Sequence, residues 1–180
     1  MRNLRLFIDE VLYRRVNEHL LPAGVRTEQA VFLLCNYAAD EAVFTCLDAM
    51  LIQHRQFAIH SAYHLELDDS TRARVIKTAH DRQCSLVEVH SHPFSGPAQF
   101  SVSDIEGLAD FVPHIWWRLR YRPYGALVVT HTSIDGLAWI DSPEAPERIQ
   151  TIEVGVRAVT TSGLTFRSLA EGNDESIRPQ

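Results

Sequence analysis

The chain has very little lysine and few cysteines. Its 17 basic residues include a single lysine, Lys77, and all the others are arginines. The cysteines are odd in number and form no CxxC pair, which argues against a disulfide framework and against a cysteine zinc site. We therefore expect reduced, buried thiols in a cytoplasmic protein, at positions Cys35, Cys46 and Cys84.

The sequence also lacks long apolar runs and an excess of positive charge. No run approaches the roughly 18–20 residues that cross a bilayer. The N-terminal segment has neither the apolar stretch nor the cleavage site of a secretory signal. The formal net charge is −6, whereas a protein that coats nucleic acid needs a basic face. We therefore expect no membrane span and no nucleic-acid partner.

The residues that are present predict one mixed α/β domain. A chain of 180 residues with 46% hydrophobic content is long enough for one core. Polar clusters typical of helix N-termini predict helices that begin after Asp9, within 68–71 and at Ser101. Apolar stretches predict strands, over residues 4–8, 30–35, 42–52, 57–67, 85–89, 124–132, 137–140, 152–160 and 164–169.

Two further features concern a turn and the C-terminus. The Asp135-Gly136 step predicts a tight turn between two strands. Residues 170–180 have too little apolar content to hold them against a core, which predicts a disordered tail. The folded domain is therefore expected to span residues 1–169.

Two histidines separated by one residue stand in the motif His90-Ser91-His92-Pro93. On an extended chain, residues two apart project to the same side, so both imidazoles can reach one metal ion. Asp104 follows at the predicted start of a helix and offers a carboxylate. Three protein ligands that leave one position for water are the pattern of a catalytic zinc. We therefore predict one catalytic Zn²⁺ held by His90, His92 and Asp104.

A hydrolytic zinc centre also needs a general base and a hydrogen-bond donor for the oxyanion. Ser101 lies three residues before Asp104, where its hydroxyl could serve the oxyanion, although Ser-x-x-Asp is also a helix-capping pattern. Glu88 lies two residues before His90, and the same strand alternation could turn it towards the metal. Glu88 is therefore one candidate for the base.

The HSHP motif followed by Ser101-x-x-Asp104 resembles the signature of the JAMM (MPN+, JAB) metalloproteases. That family includes deubiquitinating isopeptidases and many prokaryotic relatives. Its base is a glutamate at the head of an upstream apolar strand, and Glu28 stands in that position here, before the predicted strand 30–35. The resemblance implies Glu28 as base, Ser101 as oxyanion support, and the three zinc ligands named above.

The resemblance covers roughly residues 5–141 and carries expectations about fold and activity. It implies an α/β fold, a single MPN/JAB-like domain with a curved, mixed, partly antiparallel β-sheet flanked by helices. It implies a zinc-dependent isopeptidase or peptidase that cleaves after the C-terminal tail of a ubiquitin-like protein. The short chain favours a compact prokaryotic member, and such relatives commonly work beside E1-like and E2-like proteins, some of them in antiviral conjugation systems.

Two alternatives stay open at the level of sequence. A JAMM-type hydrolase could instead process a sulfur-carrier protein or a small peptide. A non-catalytic binding module of the same fold is the second alternative, although such modules typically lack one or more metal ligands.

The net charge of −6 would suit a substrate tail that carries arginines.

Overall fold

The computed structural model describes residues 2–61 and 65–175. These residues form ten strands, four α-helices and a short 3₁₀ helix at His54–Gln56. The strands are β1 Leu4–Ile8, β2 Ala30–Ala38, β3 Val43–Leu51, β4 Phe57–His60, β5 Leu65–Leu67, β6 Ser85–Ser91, β7 Tyr124–Val129, β8 Ile134–Trp139, β9 Glu147–Val154 and β10 Arg157–Thr160. The helices are α1 Glu10–Leu20, α2 Asp69–Asp81, α3 Val102–Arg118 and α4 Leu164–Glu175.

Seven of the strands close into a mixed barrel. Their order is β1-β3-β2-β6-β7-β8-β9, and β9 then pairs in parallel with β1. Leu6 of β1 accordingly lies opposite Phe44 of β3 on one side and opposite Ile152 of β9 on the other. Strand β10 adds to β9 outside this ring, and β4 and β5 form a separate antiparallel pair.

The expected MPN/JAB-like sheet flanked by helices is therefore wrong, because the sheet closes on itself and four helices accompany the closed barrel. Closure depends on the pairing of β1 with β9, which lie near opposite ends of the chain. Apolar alternation indicates that a segment is a strand, but it does not indicate which distant strand completes its hydrogen bonds. Among the described residues, no helix is both long enough and apolar enough to span a membrane.

Buried side chains form two clusters, because successive residues of a strand point to opposite faces. Val31 and Leu33 of β2 belong to the cluster that contains the buried face of α1. Phe32 and Leu34 belong to the cluster that contains the buried faces of α2 and α3. Strand β2 is thus covered on both faces, which explains its continuous apolar sequence.

Several local predictions are confirmed. Asp9 caps α1, Asp68 caps α2 and Ser101 caps α3, each through a side-chain oxygen that accepts a backbone N–H. The hairpin of β2 and β3 is also as predicted, with Tyr37 opposite Phe44. These features depend on neighbouring residues, so the sequence pattern is sufficient to identify them.

Three predicted strands differ from the structure. Residues 152–160 are not one strand, because they contain the end of β9 and the separate strand β10, which pairs with it in antiparallel orientation. Residues 57–67 form the antiparallel pair β4–β5 and not one strand, and residues 62–64, which include His64, lie outside the described residues. Residues 164–169 begin helix α4, which continues to Glu175, and residues 176–180 of the predicted tail lie outside the described residues. Short apolar runs fit either a strand or a buried helix, and here packing decides between them.

The predicted Asp135-Gly136 turn is wrong, because both residues lie within β8. Asp135 is fully buried, and its carboxyl accepts hydrogen bonds from the backbone N–H groups of Gly136, Gly163 and Thr165 at 3.0, 3.0 and 2.9 Å. A Cβ at Gly136 would lie 2.6 Å from Leu127 Cδ2, so the glycine is explained by close packing. Asp135 thus connects the barrel to the start of α4.

We predict that Asp135→Ala strongly destabilises the protein. The substitution leaves three backbone N–H groups without their acceptor, and each unsatisfied buried donor costs about 1–3 kcal/mol. We expect a loss of about 3–5 kcal/mol in the free energy of unfolding, measured by urea denaturation. The control Asp110→Ala changes an exposed residue on α3 and should alter that free energy by less than about 0.5 kcal/mol. Equal effects of the two substitutions would contradict the role assigned to Asp135.

Candidate metal centre

The two histidines of the HSHP motif lie at the end of β6, which runs between β2 and β7. His90 is opposite Ala30 of β2 and Val128 of β7. The backbone N–H of His92 donates to the carbonyl of Val129 at 2.8 Å, which extends the pairing beyond the strand. Both imidazoles project to the same side, as the spacing predicts, and their Nε2 atoms are 3.3 Å apart.

Asp104 reaches the histidines from the first turn of α3. Its Oδ2 accepts the backbone N–H of Ser101 at 2.7 Å, and the Ser101 hydroxyl accepts the backbone N–H of Asp104 at 3.2 Å. This reciprocal capping box fixes the carboxylate at the helix start. Asp104 Oδ2 lies 3.5 Å from His90 Nε2 and 3.4 Å from His92 Nε2. The capping and ligand interpretations of the Ser-x-x-Asp pattern are therefore compatible.

The spacing of these three ligand atoms fits a single metal ion. Tetrahedral zinc with bonds of about 2.0–2.1 Å to nitrogen and oxygen separates its ligand atoms by about 3.3–3.4 Å. The separations here are 3.3, 3.4 and 3.5 Å. His90, His92 and Asp104 could therefore bind a metal ion, and they are the one such group found among the described residues.

The pKa values of His90 and Asp104 depend on the contacts between the ligand side chains. Burial acts to raise the pKa of the Asp104 carboxyl, but hydrogen bonds with His90 and His92 outweigh it and hold that pKa well below its usual range. Burial acts to lower the pKa of His90, and its hydrogen bond and charge attraction to Asp104 reverse that effect and raise the pKa. The site therefore favours a carboxylate beside positive charge, which a divalent cation also supplies.

Glu28 lies two residues before β2 and places a buried carboxylate beside the three ligand side chains. Its side chain is 5% exposed, and its Oε1 lies 3.6 Å from His92 Nε2. Its backbone N–H donates to the carbonyl of Ser61 at 3.1 Å, and His60 Nε2 donates to its carbonyl at 2.7 Å. No sequence signal indicates this contact of His60, because neither its spacing from other histidines nor its neighbours in the chain point to Glu28.

Two hydroxyls lie at the start of α3. Ser101 is the N-cap, and its Oγ is 3.0 Å from the Oγ of Ser103. We call His90, His92 and Asp104 the metal group. Ser103 also lines a groove that adjoins this group, although no sequence signal indicates it. The role of Ser101 as oxyanion donor stays a prediction.

A groove of about 680 Å³ extends from the metal group. Its floor is formed by β2 and β6, one side by α3, and the other side by the β4–β5 pair and the start of α2. Ala30 and Phe32, two residues apart on β2, line the groove, and three successive residues of β6 line it as well, namely Glu88, Val89 and His90. Most of the other lining side chains are apolar or acidic, namely Phe57, Leu65, Leu67, Leu108, Phe111, Glu28, Glu66, Asp104 and Asp110, and they are joined by Arg72, Ser103 and His114.

Glu88, the other candidate base, lies in the floor of this groove. The buried Tyr124 donates its hydroxyl to Glu88 Oε2 at 2.5 Å. Burial raises the pKa of the Glu88 carboxyl, while the Tyr124 hydrogen bond and the nearby His90 oppose that rise. Of the two glutamates, Glu28 is the one within ion-pair distance of a predicted ligand side chain, at 3.6 Å from His92. The choice of base between Glu28 and Glu88 stays a prediction.

Two phenylalanine rings flank the histidines, and no sequence pattern predicts these contacts. Phe100 meets the His90 ring edge to face at a centroid distance of 5.6 Å. Phe94 stacks on the His92 ring at 5.4 Å. These rings restrict the orientation of the imidazoles, a function that supporting residues commonly serve around metal ligands.

No known protein family matches this chain, and no curated protein matches it either. The geometry of the metal group and its groove is therefore the basis for a functional proposal.

We predict that the protein binds one Zn²⁺ per chain and that the ligand group is required. At a free zinc concentration of 100 Kd, binding should stabilise the folded protein by about 2.7 kcal/mol, which thermal unfolding with and without chelator would measure. His90→Ala and Asp104→Asn should each weaken zinc binding at least about tenfold in calorimetric titrations.

The matched control for this test is His114→Ala, because His114 lines the groove but is not one of the three ligands. This variant should keep the affinity of the unchanged protein. Stoichiometric zinc binding that survives in a folded His90→Ala/Asp104→Asn variant would contradict the assigned site.

Proposed function

We propose that this protein is a zinc-dependent hydrolase that cleaves a peptide or isopeptide bond after the C-terminal tail of a ubiquitin-like protein. The observation that carries the proposal is the set of three ligand atoms spaced 3.3–3.5 Å apart, with the Glu28 carboxylate beside them. Three protein ligands are typical of catalytic zinc, which keeps a position for water or substrate. The choice of zinc and of substrate extends the resemblance of the HSHP and Ser-x-x-Asp motifs.

His90, His92 and Asp104 would hold the ion. Bound zinc supplies Lewis acidity towards a scissile carbonyl and lowers the pKa of water. The His90 and His92 rings are already in place between β6 and the flanking phenylalanines. The capping box holds the Asp104 carboxylate, so little reorganisation of these side chains would be needed when the ion binds.

Glu28 would act as the general base and general acid. Its carboxylate would accept a proton from the attacking water and later deliver that proton to the leaving amine. Its 3.6 Å distance to His92 supports this role, because a general base must lie within reach of a water held at the metal ligands. Ser101 would donate its hydroxyl hydrogen to the oxyanion that develops on the scissile carbonyl.

The groove would bind the extended tail of the substrate. A tail that lies beside the β4–β5 pair could add backbone hydrogen bonds along a strand edge, which is how many peptide-binding proteins recognise extended chains. Glycines at the end of the tail would allow its backbone to approach the metal group closely. E1-like and E2-like proteins of a bacterial conjugation or defence system would then be the functional partners.

We predict that the zinc-loaded protein cleaves a fusion in which a ubiquitin-like protein is joined through its tail to a second protein. Glu28→Gln should lower kcat by at least about 100-fold, because general acid–base catalysis contributes about 10²–10⁴ in rate. Chelation should abolish cleavage, and added Zn²⁺ should restore it. Gel and mass analysis of the fragments would locate the bond.

Glu88→Gln is the matched control, because it changes the second acidic residue of the groove floor in the same way. It should retain most of the activity if Glu28 is the base. Full activity of Glu28→Gln together with loss of activity in Glu88→Gln would reverse the assignment. Zinc binding without cleavage of tail fusions, sulfur-carrier proteins or small peptides would favour a non-catalytic binding module.

We further predict a preference for basic tails. Asp110 adds negative charge to the rim of the groove and Glu88 adds an acidic group to its floor, while Glu66 on the rim is paired with Arg72 at 3.6 Å. Replacing tail arginines with glutamates should raise KM about tenfold, and the effect should shrink at high salt. Asp110→Asn should weaken this discrimination and leave the cleavage of an uncharged tail unchanged. Equal KM values for basic and acidic tails would contradict this prediction.

A further inference from the structure

Two cysteines that the sequence separates meet on neighbouring strands. Cys35 of β2 lies directly opposite Cys46 of β3 in the antiparallel pairing. Their sulfur atoms are 3.5 Å apart, and both side chains are buried. Neither residue belongs to the metal group or lines its groove. The pair is therefore a separate chemical site.

We propose that Cys35 and Cys46 form a reversible disulfide and are a site of oxidative modification in this protein. This inference is independent of the proposed hydrolase function, because it concerns a different part of the barrel.

The backbone already has the geometry that such a bond needs. Directly opposed residues of an antiparallel pair have Cα atoms about 4.5–5.5 Å apart, and disulfides span Cα separations of about 4.4–6.8 Å. The sulfurs must approach from 3.5 Å to about 2.05 Å. That change is within the reach of side-chain rotation and a small adjustment at the bulge between Leu34 and Cys35.

The reaction balances with a hydroperoxide as oxidant. The Cys46 sulfur attacks the peroxide oxygen, forms a sulfenic acid and releases water when the oxidant is hydrogen peroxide. The Cys35 sulfur then attacks the sulfenic sulfur, and a second water leaves as the disulfide forms. Two electrons pass from the two thiols to the peroxide. A thiol reductant reverses the change by exchange through a mixed disulfide.

Exposure indicates which sulfur reacts first. Cys46 is 7% exposed, whereas Cys35 is 0% exposed, so an oxidant reaches Cys46 more easily. Burial raises the pKa of the Cys35 thiol well above its usual value, and its contact with Cys46 adds to that rise. Because the thiolate is the reactive form, we expect oxidation of the native protein to be slow at neutral pH.

The bond would link β2 to β3 and close a short segment of chain. A link between residues 35 and 46 restricts the unfolded chain and should stabilise the fold. Strand β2 begins two residues after Glu28, but the linked position lies towards its other end. We therefore expect a change in stability with the metal group left intact.

The test uses the full chain and the third cysteine as its control. Cys84 is also buried, at 1% exposure, but its sulfur lies 3.5 Å from the carbonyl of Arg82. The purified protein is treated with hydrogen peroxide, and in parallel is refolded from urea in a glutathione redox buffer. Refolding gives the oxidant access before the barrel has formed, so burial does not limit this arm.

We expect free thiols to fall from three to one after oxidation, with Cys35 and Cys46 joined in the peptide map. The melting temperature should rise by about 5–10 °C and return to its original value with a reductant. Cys84→Ser should keep the disulfide and the shift, whereas Cys46→Ser should lose both.

Three results would overturn the proposal. These are failure of the disulfide to form in both arms, a disulfide that mainly involves Cys84, and a Cys35–Cys46 bond that lowers the melting temperature. Because zinc binding and cleavage are measured separately, failure of the disulfide leaves the proposed hydrolase function intact.

Discussion

Hydrogen bonding of β6 to β2 and β7 places the metal ligands and their neighbours. The pairing sets His90 opposite Ala30, so the head of β2 and the end of β6 lie side by side. Beyond the ladder, the Ser91 N–H donates to the Gln29 carbonyl, and the Gln29 N–H donates to the Ser91 hydroxyl, each at 2.9 Å. These two hydrogen bonds hold Ser91, which lies between the two histidines, against Gln29, which follows Glu28.

Packing around these strands extends the constraint to the third ligand. Leu108, Val112 and Ile115 on one face of α3 are buried in the cluster that also contains Phe32 of β2. Because the helix is anchored along its length, its first turn and therefore Asp104 have a fixed position relative to β6. On the opposite face of these strands, the cluster that contains the buried face of α1 fills the space between the barrel strands and α1. This packing also holds the strands in position. Ligand geometry is thus a consequence of core packing.

The metal group and the cysteine pair illustrate two outcomes of the same strand geometry. In β6, residues two apart share a face, and the histidines converge. Between β2 and β3, directly opposed residues come into contact, and the two thiols meet. The first arrangement opens onto a groove that could hold a substrate chain, whereas the second is enclosed. Their separation means that hydrolysis and thiol oxidation would be independent properties of one domain.

Features that depend on near neighbours follow from the amino-acid sequence alone, namely the caps at Asp9, Asp68 and Ser101, and the shared orientation of His90 and His92. Local patterns suffice because residues close in sequence fix each other's backbone conformation and facing direction. Four other features become visible once the chain has folded, namely closure through β1 and β9, the split of residues 57–67 into two strands, the interior position of Asp135 and the contact of Cys35 with Cys46. Each of these results from pairing and packing between distant segments, which no local pattern encodes. Glu28 stands between these classes, since its place before a predicted strand drew attention to it and the β2–β6 pairing brings it beside His92.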